Sequence, residues 1–498
     1  MRNILDKIHA PNWLIILFAV VIILRIPSFF EPFSYGDEMI YLTLGEAMRQ
    51  GMTLYRDIHD NKPPLLYIIA AIAGNVFWLR AILAFWNLAT IYIFWKLAQV
   101  ILPKREKVQK VATVIFALLT TLPLLEGQIA NAEVFMIGPT LVAFLILLTR
   151  KLDFKNLFLA GLFFSAATLF KVPAAFDIPV ILAFWLIYLK GGKEEIKAFV
   201  RKTFFLLLGL FSPIALSLLW YFLKGALAEY VVAAFLQNVG YLSSWRPVVS
   251  SQPFLVKNAP LLIRAGVVGL GTLILYLKRA KLSKTFVLLS LWVLFSLFAA
   301  TLSERPYTHY LIQSVPPLSF LLAILLADKT LEQVLVIIPL TLTFLVPVYY
   351  KFYYYPTTSY YGRFLEFAVG RIGKEAYFAK FDGNVNRNYK IADVVLKSTS
   401  KKDKIFVWGD SPPIYALTRR FPPLKYVATY HINDFFSQEE TIRILGFDNP
   451  AIIVILPNAP GFKELSLFTR KNYILIDEVD GAQIYYLANP TIRALLAR

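Results

Sequence analysis

The residues best suited to chemistry sit in short polar segments between apolar runs. An adjacent acidic pair, Asp37-Glu38, is followed some two dozen residues later by Lys62, which precedes Pro63-Pro64. Glu126 and Glu133 bracket the segment EGQIANAE, and Lys171 and Asp177 bracket KVPAAFD. A later segment, SERPYTHY, supplies Arg305, Tyr307, His309 and Tyr310 within six positions. A carboxylate can take a proton from an attacking hydroxyl. Lys, Arg and a protonated His can hold a phosphate, with Tyr hydroxyls adding hydrogen bonds. Such a mixture suits a substrate with an apolar tail, a phosphate and a polar head.

The elements that must position these groups are membrane helices. The 498 residues are 58% hydrophobic and 17% charged, with 41 Phe, 27 Tyr and 9 Trp, and the mean hydropathy is +0.59. Soluble domains are usually about 45–50% apolar and about 25% charged. Disorder, collagen-like repeats and a soluble cytoplasmic enzyme are excluded. The absence of Cys excludes disulfides, thiolate metal ligands and a Cys nucleophile. The first apolar run lacks a small-residue cleavage site and reads as a retained helix. Spans of about 20 apolar residues are expected near 13–30, 79–102, 111–126, 130–149, 157–171, 174–189, 203–223, 259–277, 285–302, 311–327 and 332–350. Residues 64–78 read either as the first half of a kinked second span or as an interfacial helix.

Charge gives these about eleven spans a direction. With the N-terminus cytoplasmic, the inner loops carry 19 Lys and Arg in 51 residues, and the longer outer loops only eight. The net charge of +19 therefore reports topology by the positive-inside rule, not nucleic-acid binding. All the chemical segments then meet the outer leaflet. An ionisable group at membrane depth costs about 2.5–3.5 kcal/mol on insertion scales and reads as functional by default. In the first outer loop, 31–63, the spacing of Met39, Leu42, Leu44 and Met48 predicts an amphipathic helix on the bilayer surface. Bland readings stand beside the sharp ones: Asp37 as a helix cap, Lys62 and Lys171 as snorkelling anchors, Glu126 and Glu133 as solvated turns, and Arg305 and His309 as partners of Glu304 or of lipid phosphate.

From Lys351 onward the apolar runs shorten to KIFVW, AIIVIL, YILI and AQIYYL, with helix-compatible stretches such as 437–446 between them. This predicts an extracytoplasmic α/β domain at 351–498 behind a transmembrane domain at 1–350. Gly409, in VWGD, reads as a strand-to-loop turn.

Asp37-Glu38, GMTLYRD at 51–57, KPPL at 62–65, ANAE at 130–133, FKVPA at 170–174 and RPYTHY at 305–310 together resemble the GT-C superfamily of membrane glycosyltransferases. The likeness is to bacterial relatives of protein O-mannosyltransferase and of the lipid A aminoarabinose transferase, over roughly residues 10–350. The resemblance implies transfer of a sugar from a polyprenyl-phosphate donor to an outer-face acceptor (glycan, lipid or protein), usually with inversion. It makes Asp37 the catalytic base or acceptor-orienting carboxylate with Glu38 beside it, and Lys62 a donor-phosphate ligand. Arg305, His309 and Tyr310 would hold the departing phosphate. Glu133, Glu126, Lys171 and Tyr307 are candidate substrate contacts, with the second acidic position open between Glu126 and Glu133. Some members use a divalent metal; no His/Asp cluster here has convincing ligand spacing. Two other readings stand against this one: a flippase or transporter of a lipid-linked saccharide, and a polymerase or ligase using diphosphate-linked oligosaccharides.

Overall fold

The computed structural model describes residues 10–240 and 253–492. Among the described residues, seven helices are long and apolar enough to cross a membrane: Asn12–Phe30, Val76–Ile101, Ala132–Thr149, Lys193–Leu223, Leu255–Lys278, Thr308–Ala327 and Glu332–Tyr349. The four other expected spans fold as shorter helices, Glu106–Leu119, Phe154–Phe170, Val172–Ile187 and Lys284–Ala300. Local chemistry sets these limits. The expected span at 111–126 stops where Thr120 and Thr121 lead into a 3-10 turn at Pro123–Leu125. Residues 172–177 also wind as a 3-10 turn opened by Pro173.

These helices pack as membrane helices do, through small residues that let backbones approach. A Cβ added to Gly161 would lie 2.2 Å from the Leu206 carbonyl oxygen, and one on Gly209 2.1 Å from that of Phe158. Aromatic stacks fill the interior, with Phe94 against Phe116 at 4.1 Å and Phe144 against Trp292 at 4.2 Å between ring centres. Outward faces carry exposed Ile16, Ile23, Leu219, Trp220, Ile263 and Leu270. An apolar surface of that extent belongs against lipid.

Residues 64–78 form a separate helix, Leu65–Ala73, because Gly74 leaves the α region at φ +69° and Asn75 caps the next helix with its side chain on the Trp78 amide. The helix expected on the bilayer surface forms at Gly36–Arg49 but is enclosed by protein instead. Met39, Ile40, Tyr41, Leu42, Leu44 and Ala47 are buried, with Leu65–Ala73 on one side and the helix Pro412–Thr418 on another. Gly45 permits the first contact, since a Cβ there would meet the Ala71 backbone nitrogen at 2.5 Å.

All four strand-like runs near the C-terminus are strands. β1 (Ile405–Trp408), β2 (Ile452–Ile455), β3 (Tyr473–Val479) and β4 (Ala482–Leu487) form one sheet in the order β1-β2-β4-β3. β1 and β2 are parallel, and β4 is antiparallel to both β2 and β3. Asp480 and Gly481, both at positive φ, make the two-residue β3–β4 turn that such hairpins favour. Gly409, at φ +128°, ends β1 as a turn. This unit docks onto the first loop: the His59 amide donates to the Lys425 carbonyl at 2.8 Å, and the Phe33 amide to the Tyr389 hydroxyl at 3.2 Å.

Candidate active site

Asp37 and Glu38 occupy the first turn of the Gly36–Arg49 helix, where the exposed amides favour negative charge. Adjacent helical residues point about 100° apart, and the pair divides accordingly. Glu38 is fully buried, its two oxygens held by Arg80 at 3.1 and 2.6 Å. The Ala130 amide donates to it at 2.8 Å. Arg80 also pairs with Glu31 at 2.8 Å, and Glu31 accepts from Tyr360. Both oxygens of Glu38 are thus taken up, one by Arg80 alone and the other by Arg80 and the 126–131 turn.

Asp37 turns the other way and keeps 34% of its side chain exposed. Its Oδ2 accepts from the Tyr41 hydroxyl at 2.9 Å and lies 3.6 Å from the Lys62 ammonium. Burial alone would push this carboxyl up, but Lys62, His309, the Tyr41 hydroxyl and Lys171 outweigh it and hold the group below its ordinary value.

The backbone around Lys62 is pinned, since its carbonyl accepts from the Tyr55 hydroxyl at 2.8 Å and its amide donates to the Tyr67 hydroxyl at 3.3 Å. The Lys62 ammonium lies 3.6 Å from both Asp37 and Asp60, and 5.0 Å from the centre of the Tyr41 ring. Asp60 is almost wholly buried and accepts from the Tyr67 hydroxyl at 2.7 Å and from the Asn61 amide at 2.8 Å. His431, from the sheet-containing unit, brings Nε2 to 3.8 Å from Asp60. Burial raises the Asp60 carboxyl, yet Lys62, His431 and Tyr67 together hold it low.

A second group of charges surrounds His309, which sits in the 3-10 turn Thr308–Ser314. Its Nδ1 is 2.5 Å from Glu126 and its Nε2 4.0 Å from Glu133. Glu126 adopts φ +57°, a conformation non-glycine residues rarely take and one that clusters at functional sites. It also accepts from the Tyr35 hydroxyl at 2.8 Å. Glu133 pairs with Lys171, whose ammonium lies 3.9 Å from the centre of the Tyr310 ring. Tyr307 stacks on His309 with 5.7 Å between ring centres. Arg305 is half-buried on the approach to this turn, its amide 3.4 Å from the Ser303 hydroxyl.

The structure therefore gathers Asp37, Lys62, Glu126, Glu133, Lys171, His309 and Tyr310 from five stretches of chain, with His309 and Lys171 both acting electrostatically on Asp37. Tyr307 joins them through His309. Asp60, Tyr35, Tyr41 and His431 were not singled out from the sequence. Asp60 had a local signal, two residues before Lys62; His431 had none. Among the described residues, no group of three or more His, Asp or Glu side chains is placed to hold a metal.

Comparison of the sequence with known protein families and with curated proteins gives no match. Solved structures do match. ArnT from Cupriavidus metallidurans, bound to undecaprenyl phosphate, superposes with a TM-score of 0.59 at 13% identity, covering 97% of this chain and 99% of that one. The apo form gives 0.58 at 13% identity, covering 98% and 99%. The chain thus shares its fold with ArnT, the kind of fold expected from the likeness read in the sequence.

Proposed function

We propose that this chain is an integral membrane glycosyltransferase that moves a sugar from a polyprenyl-phosphate donor to an acceptor hydroxyl, on a glycan, lipid or protein, at the outer face of the cell membrane. The fold shared with ArnT, which has been seen with undecaprenyl phosphate, supports the donor class. The observation that carries the reading is the pairing of Asp37, the most exposed of the clustered carboxylates, with Lys62 at 3.6 Å.

The acceptor oxygen attacks the anomeric carbon as its proton passes to Asp37. The bond from that carbon to the phosphate oxygen breaks with inversion, and polyprenyl phosphate departs with the bonding electrons. Lys62, Lys171 and the Arg305–Tyr310 segment receive its charge. Phosphate leaves readily, so the protein has mainly to position the reactants and supply charge. Glu38 serves this as a brace, holding the Asp37 turn against Arg80. Eleven crossings, with the N-terminus cytoplasmic and residues 351–498 outside, deliver these groups to the outer leaflet.

Purified protein in nanodiscs, given radiolabelled undecaprenyl-phosphate sugars and candidate acceptors, should release undecaprenyl phosphate. Lipid-linked sugar crossing the bilayer without that release would indicate a flippase; release of undecaprenyl diphosphate from a diphosphate-linked donor supplied in parallel, with no release from the monophosphate donor, would indicate a polymerase or ligase.

A further inference from the structure

The unit beyond residue 351 does more than rest on the site; it inserts a side chain into it. The parallel strand β1 ends at Gly409, whose amide donates to the Thr429 hydroxyl at 2.9 Å, and the neighbouring Asp410 accepts from the Tyr430 amide at 3.1 Å. These two contacts fix the start of the helix Thr429–Phe435. His431 projects from that helix and is 4% exposed. Its Nε2 lies 3.8 Å from Asp60, while its Nδ1 is buried without a hydrogen-bond partner. A backbone bridge between His59 and Tyr426 holds the two surfaces in register. The chain of contacts therefore runs from β1, through His431 and Asp60, to Lys62.

Resting on the transferase reading, we propose that His431 is a positioning residue that acts through Asp60 to set how much of the Lys62 charge is available to the donor phosphate. Lys62 lies 3.6 Å from each of two carboxylates, which compete with any phosphate for it. Asp60 has Oδ1 toward His431 and Oδ2 toward Lys62. A proton on His431 gives Asp60 a second cation, weakens its hold on Lys62 and frees the ammonium for an incoming anion. A neutral His431 leaves Asp60 to Lys62. The groups facing His431 are Asp60, Lys62 and Asp37 from the first loop and its helix, His59 at 6.0 Å between ring centres, Tyr426, and Tyr430 and Asp434 on its own helix. Asp60 is the nearest acid among them, so it takes most of the effect.

The test measures binding of undecaprenyl phosphate to the full-length protein in nanodiscs from about pH 4 to 8, a window that reaches below the ordinary histidine range because burial lowers His431. Wild type, H431Q and D60N are compared. The wild-type Kd should fall several-fold more steeply on acidification than that of H431Q. In D60N, which removes the competing acid, binding should be tighter and the wild-type excess slope lost. H431Q following the wild-type slope overturns the inference while leaving the transferase reading intact. D60N binding more weakly at every pH also overturns it, by making Asp60 a ligand or a brace instead of a competitor. Failure of wild type to bind undecaprenyl phosphate at any pH sinks the transferase reading and the inference with it.

Discussion

At the scale of single residues, two adjacent acids of similar chemistry differ in what surrounds them. Asp37→Asn keeps the shape and the Tyr41 contact while removing the proton acceptor, so transfer should fall by orders of magnitude with stability nearly unchanged. Turnover of that variant in purified form, measured beside its melting temperature, checks this; wild-type rates would remove Asp37 as the base. Because Lys62 and its other neighbours hold the carboxyl low, the acid limb of kcat/KM should lie below the ordinary Asp value of about 3.9. The limb should move upward in Lys62→Met, which deletes the main favourable charge. Neighbouring charges in the sequence indicated that Asp37 and Lys62 belong together. No local pattern indicated that Asp60 and His431 meet, since 371 residues separate them. Arg80 does carry a local signal: it is an arginine inside the apolar run VFWLRAIL, where lipid would penalise an unpaired charge.

At the scale of elements, the first-loop helix is held by one buried arginine and one glycine. Removing one partner of a buried ion pair leaves an uncompensated charge and costs about 3–5 kcal/mol. Arg80→Met should therefore lower the melting temperature sharply, because Glu31 and Glu38 both lose their cation. Glu38→Gln, which keeps the shape and the Ala130 contact, should cost less. A double variant, Arg80→Met with Glu38→Gln, should recover part of the loss; strict additivity in thermal unfolding would show that the two do not couple. Gly45→Leu should separate the 36–49 and 65–73 helices and reduce activity with it, since a Cβ alone already meets backbone at 2.5 Å. Periodicity announced this helix correctly but not its surroundings. An apolar stripe reads the same whether lipid or protein covers it, and the covering element here lies near residue 415. The strands were legible for the opposite reason: short β-branched runs between turns leave few alternatives.

At the scale of the whole molecule, the junction between the first loop and the sheet-containing unit carries an acid-sensitive group. His59 is 3% exposed, and its pKa is pushed down to about 4, first by burial and then by His431 and Lys425, against the pull of Asp60. An unfolded chain would protonate this histidine near pH 6.5, so between about pH 6.5 and 4 the unfolded state binds the extra proton and stability falls on acidification. Asp60, held low in the fold, loses its contribution in the same direction at still lower pH. A shift of that size corresponds to roughly 3 kcal/mol for the histidine alone. His59→Gln should flatten the decline in melting temperature over that window, and an unchanged slope would place the acid sensitivity elsewhere.

The same chain offers a direct test of its orientation, because it contains no cysteine. Single cysteines introduced at Lys107, Lys281 and Lys397 report the two sides without background labelling. All three positions are exposed. In right-side-out vesicles an impermeant maleimide should modify K397C and spare K107C and K281C until detergent is added. The positive-inside count and the outer-face site proposed above both predict this pattern. Labelling of K107C from outside would turn the site toward the cytoplasm, where an outer-leaflet acceptor cannot reach it.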